Sequence, residues 1–236
     1  MEIGIIGGAG FVGSAISQRF NQLSQFRCTS ILKNDDFASK IKGVDFVIHS
    51  ANSAGRFAAN SNPKIDRQET VGKTQKFLDA LDGKPILLIS SISCRTQLST
   101  PYGLNRKVCE DLILDYGGSV VRLGPMFGGS RNRDVIHDIC ENRQVFVSRD
   151  SRQSFSNVEW NGAFIADNFS SISGILEIGA RDTINLGAIA NHVNSSSIFS
   201  GGRDDQFPIN FDAGPSVLKV LEFVDNIMNN KKFNSS

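Results

Sequence analysis

The residues near the start of the chain have the types and spacing of a phosphate cradle. Gly7-Gly8-Ala9-Gly10-Phe11-Val12-Gly13 satisfies GxxGxxG through Gly7, Gly10 and Gly13, and GxGxxG through Gly8, Gly10 and Gly13. Glycines at this spacing permit a tight turn, a close backbone approach to a pyrophosphate, and a close seat for a helix on a sheet. A helix continuing through Phe11 and Val12 then points its free N–H groups and the positive end of its dipole at the phosphates. The loop after the next strand should choose between dinucleotides, and it reads Ser30-Ile31-Leu32-Lys33-Asn34-Asp35-Asp36. A carboxylate there holds the ribose 2′-hydroxyl of NAD, whereas a basic side chain favours the 2′-phosphate of NADP. Lys33, near the strand end, leans the reading towards NADP. Asp35 or Asp36 would serve NAD if the strand runs longer, and all three suit a solvated loop equally well.

Other chemistries have less support. Cys28, Cys94, Cys109 and Cys140 form no CxxC pair, and His49, His137 and His192 lie far apart. No metal site is expected from such spacing, and the thiols read as reduced and packed, as in a cytoplasmic protein. His49 in FVIHSA reads as a strand-end histidine satisfied by its surroundings, and Trp160 as a packing anchor.

The glycine loop needs a strand before it and a helix after it. The pattern supplies a strand at 2–6 and a helix at 11–23. A strand at 26–32, a short helix at 35–42 and a strand at 44–49 follow. Next come a helix at 65–81, a strand at 85–91, a helix at 101–116 opened by Pro101, and a strand at 119–123. Strands alternating with helices predict an α/β fold, a doubly wound parallel sheet covered on both faces. The second half is less regular. It predicts a short helix at 133–141, a short strand at 144–147, a helix at 160–172 and a strand at 183–187. An amphipathic helix at 215–229 precedes KKFNSS, a tail expected to fray.

With 236 residues, the chain has room for one α/β domain and a small appendage. Lys+Arg is 25 and Asp+Glu is 24, a net charge of +1, so no global field draws in nucleic acid. No apolar run approaches the ~20 residues of a membrane span. The chain starts directly in a strand pattern, which argues against a secretory leader.

GGAGFVG, VDFVIHSAN, LLISSIS, PYGLNRKVCE and VVRLGPMFG occur in that order. This series resembles the NAD-dependent epimerase/dehydratase family, the extended short-chain dehydrogenases that act mainly on nucleotide sugars. The resemblance covers residues 2–130 well and the rest loosely. RQSFSNVEWNGAF is similar to the family's short strand-then-helix segment, and TINLG to its late strand. The resemblance implies a Rossmann-type core over 1–125. It implies a smaller substrate-binding portion over 126–236, with the 183–187 strand returning to the core sheet.

The resemblance also implies an active site. The family's serine falls on Ser91, with Ser93 as the alternative, and its tyrosine falls on Tyr102. The family lysine lies four residues further on, where this chain has Arg106. Glu110 keeps that register, and Lys107 should point about 100° away on the helix. The family asparagine falls on Thr70. In this chemistry hydride passes between a sugar carbon and the nicotinamide while the tyrosine exchanges the hydroxyl proton, helped by a nearby cation. Arg106 can supply that charge but cannot relay protons as a lysine can. Ser91 would orient the substrate oxygen. Ala51 and Asn52 would line the adenosine side, and Pro125 and Met126 would flank the nicotinamide.

Two parts look trimmed. Only about ten residues separate the second strand from VDFVIHS, where the family fits another strand, so one edge strand should be missing. The substrate portion is also short. Arg131, Arg133, Arg143, Arg149 and Arg152 fall where the family contacts substrate, and suit either a nucleotide diphosphate or a solvated basic edge. The expected activity is an NAD(P)-dependent epimerase or keto-sugar reductase acting on a nucleotide sugar. The alternative is an NAD(P)-binding or redox-sensing protein without turnover, motivated by Thr70 and Arg106. The partner implied is a small molecule, with neither nucleic acid nor membrane. The resemblance also implies a homodimer through the helices at 65–81 and 101–116.

Overall fold

A computed structural model describes residues 1–52 and 55–234. Six strands form the main sheet: β1 (Glu2–Ile6), β2 (Arg27–Ile31), β3 (Phe46–His49), β4 (Ile86–Ser91), β5 (Ser119–Leu123) and β6 (Ile175–Ile178). Their order across the sheet is β2-β1-β3-β4-β5-β6. The pairs from β2 to β5 are parallel, with Ile5 opposite Ile48 and Leu88 opposite Val120. The apolar runs explain the order. β1, β4 and β5 are buried along nearly their whole length, as central parallel strands covered on both faces must be. β2 is half exposed and forms the sheet edge. No strand lies between β2 and β3 among the described residues, in line with the short connection there.

The chain divides into two compact units, Met1–Leu123 with Glu159–Glu177, and Gly124–Val158 with Ile178–Ser236. In the first, the helices Phe11–Asn21 and Pro101–Asp115 cover the sheet. The Val158–Asn168 helix packs against the first of these. A Cβ on Gly162 would stand 2.6 Å from the Ala15 carbonyl carbon, and Arg19 pairs with Asp167 at 2.9 Å. Phe169 then meets Phe20, Phe26 and Phe46 edge-on, at 4.8–5.5 Å.

The second unit has its own core, including Phe127, Ile139, Phe155, Leu186, Ile189 and Val220. Here two expectations fail. The 183–187 segment does not return to the main sheet: Ile184–Asn185 pairs antiparallel with Arg152–Gln153 in a separate ribbon. The strand that joins the sheet beyond β5 is β6. The 144–147 strand shrinks to a single bridge between Val145 and Phe199. The helix expected at 65–81 forms without a break from Pro63 to Ala80, with a wider π-helical turn at Gln68–Gly72, and the short Arg56–Ser61 helix precedes it. The last helix runs Lys219–Asn234, so the backbone stays helical into the tail, whose final residues 235–236 lie outside the described residues.

Candidate active site

The glycine loop is built by close approaches that leave no room for side chains. Gly7 adopts φ +78°, a left-handed conformation that favours glycine. Its N–H donates to the Ile31 carbonyl at 2.9 Å, tying the loop to the end of β2. A Cβ on Gly13 would lie 2.1 Å from the Gly7 oxygen, and one on Gly8 would lie 2.3 Å from Ser30 Oγ. Gly10 differs, because its Cβ would meet only the Gly7 oxygen, at 3.1 Å. Gly10 is exposed and caps the Phe11–Asn21 helix without a side-chain hydrogen bond, and no acidic residue sits in the first turn. The positive end of the helix is therefore open to an anion.

The segment after β3 crosses this loop. Ala51 Cα lies 2.9 Å from where a Gly7 Cβ would stand. Next to it, the Asn52 side chain holds both its amide oxygen and nitrogen buried, with no hydrogen-bond partner among the described residues. A buried amide with neither end satisfied is costly, so this pair of polar atoms is available to a polar group that enters the site. His49 is different. Its Nε2 meets Thr74 Oγ1 at 3.0 Å, and its Nδ1 accepts the Ala51 N–H at 3.3 Å. Burial lowers its pKa to about 4, so it is a neutral packing residue.

At the end of β2 the charged residues take separate roles. Asp35 accepts the Leu32 N–H at 2.8 Å, and Asp36 caps the Phe37–Ile41 helix through the Ser39 N–H. Lys33 extends into solvent and meets Glu69 at 3.6 Å, a carboxylate it shares with Lys73.

Tyr102 opens its helix under tight constraint. Thr100 Oγ1 accepts the Gly103 N–H at 3.1 Å, and Pro101 occupies the first turn. A Cβ on Gly103 would stand 2.2 Å from the Gln97 oxygen and 2.7 Å from the Ser93 oxygen. The short Ser93–Thr96 helix fills the gap between β4 and the tyrosine in this way. Ser91 Oγ accepts the Ser93 N–H at 3.2 Å, and Ser93 Oγ accepts from Arg56 Nη2 at 3.1 Å. Arg56 lies 5.8 Å from the Tyr102 ring centroid. Arg106 comes closer, with its guanidinium 3.5 Å from that centroid and Nη1 donating to the Tyr102 carbonyl at 3.3 Å. The structure thus places Tyr102 and Arg106 in direct contact. It links Ser91 to the ring through Ser93 and Arg56. Lys107 turns outward and pairs with Asp111.

Thr70 is fully buried in the π-helical turn, and its hydroxyl has no partner among the described residues. Pro125 and Met126 belong to the second unit, where the Pro125 carbonyl accepts the Ser156 N–H and Met126 pairs with Ser156. Of the arginines there, Arg143 is paired with Asp138 and Glu141, and Arg152 with Asp205. Arg149 meets the neutral Asn191 side chain and lies 5.4 Å from the Phe199 ring.

Sequence reasoning passed over two features. Arg56 is the only charged residue between Ala51 and Asn62, and that isolation was the available signal. The second is a buried ionic chain: Arg122 grips Glu110 on the Tyr102 helix and reaches Glu177 on β6, which also holds Arg95. Ser90 Oγ donates to Glu110 at 2.7 Å.

Compared by sequence, the chain matches no protein-family model and no curated protein. Compared by structure, it is similar to a UDP-glucuronic acid 4-epimerase from Bacillus cereus in complex with UDP-4-deoxy-4-fluoro-glucuronic acid and NAD. The TM-score is 0.81 and the identity 15%, over 96% of this chain and 100% of that one. It is also similar to TunA, an NAD-dependent NDP-hexosamine 5,6-dehydratase involved in tunicamycin biosynthesis, with a TM-score of 0.77 and 12% identity over 97% of this chain and 98% of that one. A UDP-N-acetylglucosamine 4-epimerase from Methanobrevibacter ruminantium, in complex with UDP-N-acetylmuramic acid, gives a TM-score of 0.74 and 15% identity over 97% of each chain. At identities this low the likeness is one of fold, and the chain has the doubly wound α/β fold of these nucleotide-sugar epimerases and dehydratases.

Proposed function

We propose that this chain binds NAD or NADP and catalyses hydride-transfer chemistry on a nucleotide sugar, as an epimerase or a keto-sugar reductase. One observation carries the reading above the others. The open, glycine-lined helix start and the unsatisfied Asn52 amide lie side by side at the ends of β1 and β3. They offer donors for a pyrophosphate and a polar lining for an adenosine. The backbone at Gly7, Gly10 and Gly13, with the N–H groups of Phe11 and Val12, would hold the pyrophosphate. Ala51 and Asn52 would line the adenosine, and Pro125 and Met126 would flank the nicotinamide.

The bound nicotinamide supplies the hydride acceptor and donor. The chain's own residues do the rest. Tyr102 exchanges the proton of the substrate hydroxyl, Ser91 orients that oxygen, and Arg106 provides the positive charge beside the phenol. NADP is favoured over NAD, because both aspartates of the β2 loop are spent on their own turn and cap, and Lys33 is exposed there. A homodimer and a cytoplasmic location belong to the same reading. Among the described residues no helix is long and apolar enough to cross a membrane.

The alternative reading is a dinucleotide-binding protein without turnover. It is favoured by the buried, partnerless Thr70 hydroxyl at the family's asparagine position. A fluorescence titration with NADH and NADPH, followed by an assay of nucleotide-sugar turnover in the wild type and Tyr102→Phe, separates the two. Binding with turnover that Tyr102→Phe abolishes supports the enzyme. Binding with no turnover supports the alternative, and no binding refutes both.

A further inference from the structure

The ionic chain of the first unit has its two ends on the two elements that carry Ser91's turn and Tyr102. At one end, Glu110 sits on the Pro101–Asp115 helix, about two turns past Tyr102. Arg122 on β5 grips it with Nη2 at 2.6 Å and Nε at 2.9 Å. The Arg122 Nη1 also donates to Glu177 Oε1 at 3.2 Å. Glu177, on β6, then accepts from Arg95 through both oxygens, at 2.9 and 2.8 Å. Arg95 belongs to the Ser93–Thr96 helix, which begins two residues after Ser91. That helix has only four residues, too few internal hydrogen bonds to hold its own shape. It also packs directly on the start of the Tyr102 helix, where a Cβ on Gly103 would stand 2.2 Å from the Gln97 oxygen and 2.7 Å from the Ser93 oxygen. Ser91 Oγ accepts the Ser93 N–H at 3.2 Å, so a shift of this turn reaches both hydroxyls.

We propose that Glu177 is a positioning residue: by joining Arg95 to Arg122 it fixes the Ser93–Thr96 turn against the Tyr102 helix, and so sets the separation of the Ser91 and Tyr102 hydroxyls. The inference rests on the roles given to those two hydroxyls above and adds a residue that touches neither. The other three residues of β6, Ile175, Leu176 and Ile178, are apolar. A buried ion pair adds little stability over apolar side chains of the same shape, so packing alone does not call for a carboxylate at 177. Two-point bonding between a guanidinium and a carboxylate adds direction, because each fork fixes the plane of its partner. Ser91 and Tyr102 must meet one substrate oxygen together. A displacement of about 1 Å between such groups costs on the order of a hundredfold in rate.

The test is steady-state turnover by the full chain of UDP-glucuronic acid, UDP-glucose and UDP-N-acetylglucosamine, with NAD or NADP, in the wild type, Glu177→Gln and Arg95→Gln. Each variant should lower kcat about tenfold or more. KM and dinucleotide affinity should stay within about twofold, because no binding group is removed. Arg95→Gln decides the matter if Glu177→Gln does not fold, since the Arg95 side chain is 31% exposed and Arg122 keeps both Glu110 and Glu177. Ile113→Val is the control for stability alone. It trims a fully buried side chain of the Tyr102 helix that takes no part in the ionic chain, so it should lower the melting temperature and leave kcat unchanged. A kcat retained in either folded variant, a loss that falls on KM instead, or an equal loss of kcat in Ile113→Val would overturn the positioning role and leave the nucleotide-sugar reading intact. If the wild type turns over none of the three sugars, the enzyme reading fails, and the positioning role falls with it.

Discussion

Glu110 and Arg122 grip each other edge to edge inside the first unit, with Nη2 to Oε2 at 2.6 Å and Nε to Oε1 at 2.9 Å. Glu110 is fully buried, and it belongs to the Pro101–Asp115 helix that carries Tyr102. The bond to the carboxylate holds the Arg122 guanidinium protonated well beyond its usual range. Removing one member of such a pair leaves the other charged and buried. Glu110→Ala should therefore lower unfolding free energy by about 3 kcal/mol or more in denaturant titrations. Replacing the exposed Asp111 next to it with alanine should cost less than about 1 kcal/mol.

The glycines of the loop divide by role. Gly13→Ala places a methyl 2.1 Å from the Gly7 oxygen, with only backbone there to yield. It should lower the melting temperature by several degrees and weaken dinucleotide binding with it. Gly10→Ala meets one atom at 3.1 Å and faces solvent. It should melt close to the wild type while losing NADPH affinity, as read by the fluorescence of the bound nucleotide.

His49 makes stability depend on pH in a definite direction. Its pKa falls from the model-compound value of 6.5 to about 4 in the folded chain. The unfolded chain therefore takes up the proton first, and the contribution is intact above about pH 6.5 and lost as pH falls towards 4. The full loss is on the order of 3 kcal/mol. Denaturant titrations at pH 7.5 and 4.5 should show a smaller decline for His49→Gln than for the wild type. Equal declines would show that the acid sensitivity lies elsewhere.

The Tyr102 hydroxyl has no hydrogen-bond partner among the described residues, while its ring is buried against Arg106. Tyr102→Phe keeps the ring and should change unfolding free energy by no more than about 0.5 kcal/mol. Loss of turnover in such a stable variant points to chemistry at the oxygen. Loss of stability as well would point to packing.

Lys33 is 76% exposed on its side chain and meets Glu69 only loosely, so Lys33→Glu should leave the fold intact. If Lys33 selects NADP, this change should cut NADPH affinity about tenfold or more, with NADH little affected. An unchanged ratio of the two affinities would remove Lys33 from cofactor selection.

The first half of the fold was legible because its signals are local. The apolar run of β1, the glycine turn and the helix that follows lie within twenty residues, and the apolar runs Ile86–Ile89 and Val120–Val121 mark β4 and β5. The last strand of the sheet was hidden by its own function. β6 reads Ile175-Leu176-Glu177-Ile178, and a glutamate in a buried strand looks wrong until Arg122 and Arg95 are seen to hold it. TINLG looked the better strand because nothing in it is charged, yet its short extended stretch serves the ribbon of the second unit. In the candidate site, the positions of Tyr102 and Arg106 four residues apart could be read, because one helical turn stacks them. Arg56 could not, since it reaches the same ring from a distant segment.

Among the described residues no strand lies outside β2, which has a cost for a chain of this size. The outer row of N–H and C=O groups on Arg27–Ile31 is a template on which another extended chain could be copied. The strand is only five residues long, with Arg27 exposed at its start and Ser30 exposed near its end. Brevity, charge and polarity there work as a deterrent to fibre growth, so neutralising Arg27 would matter more for solubility than for folding.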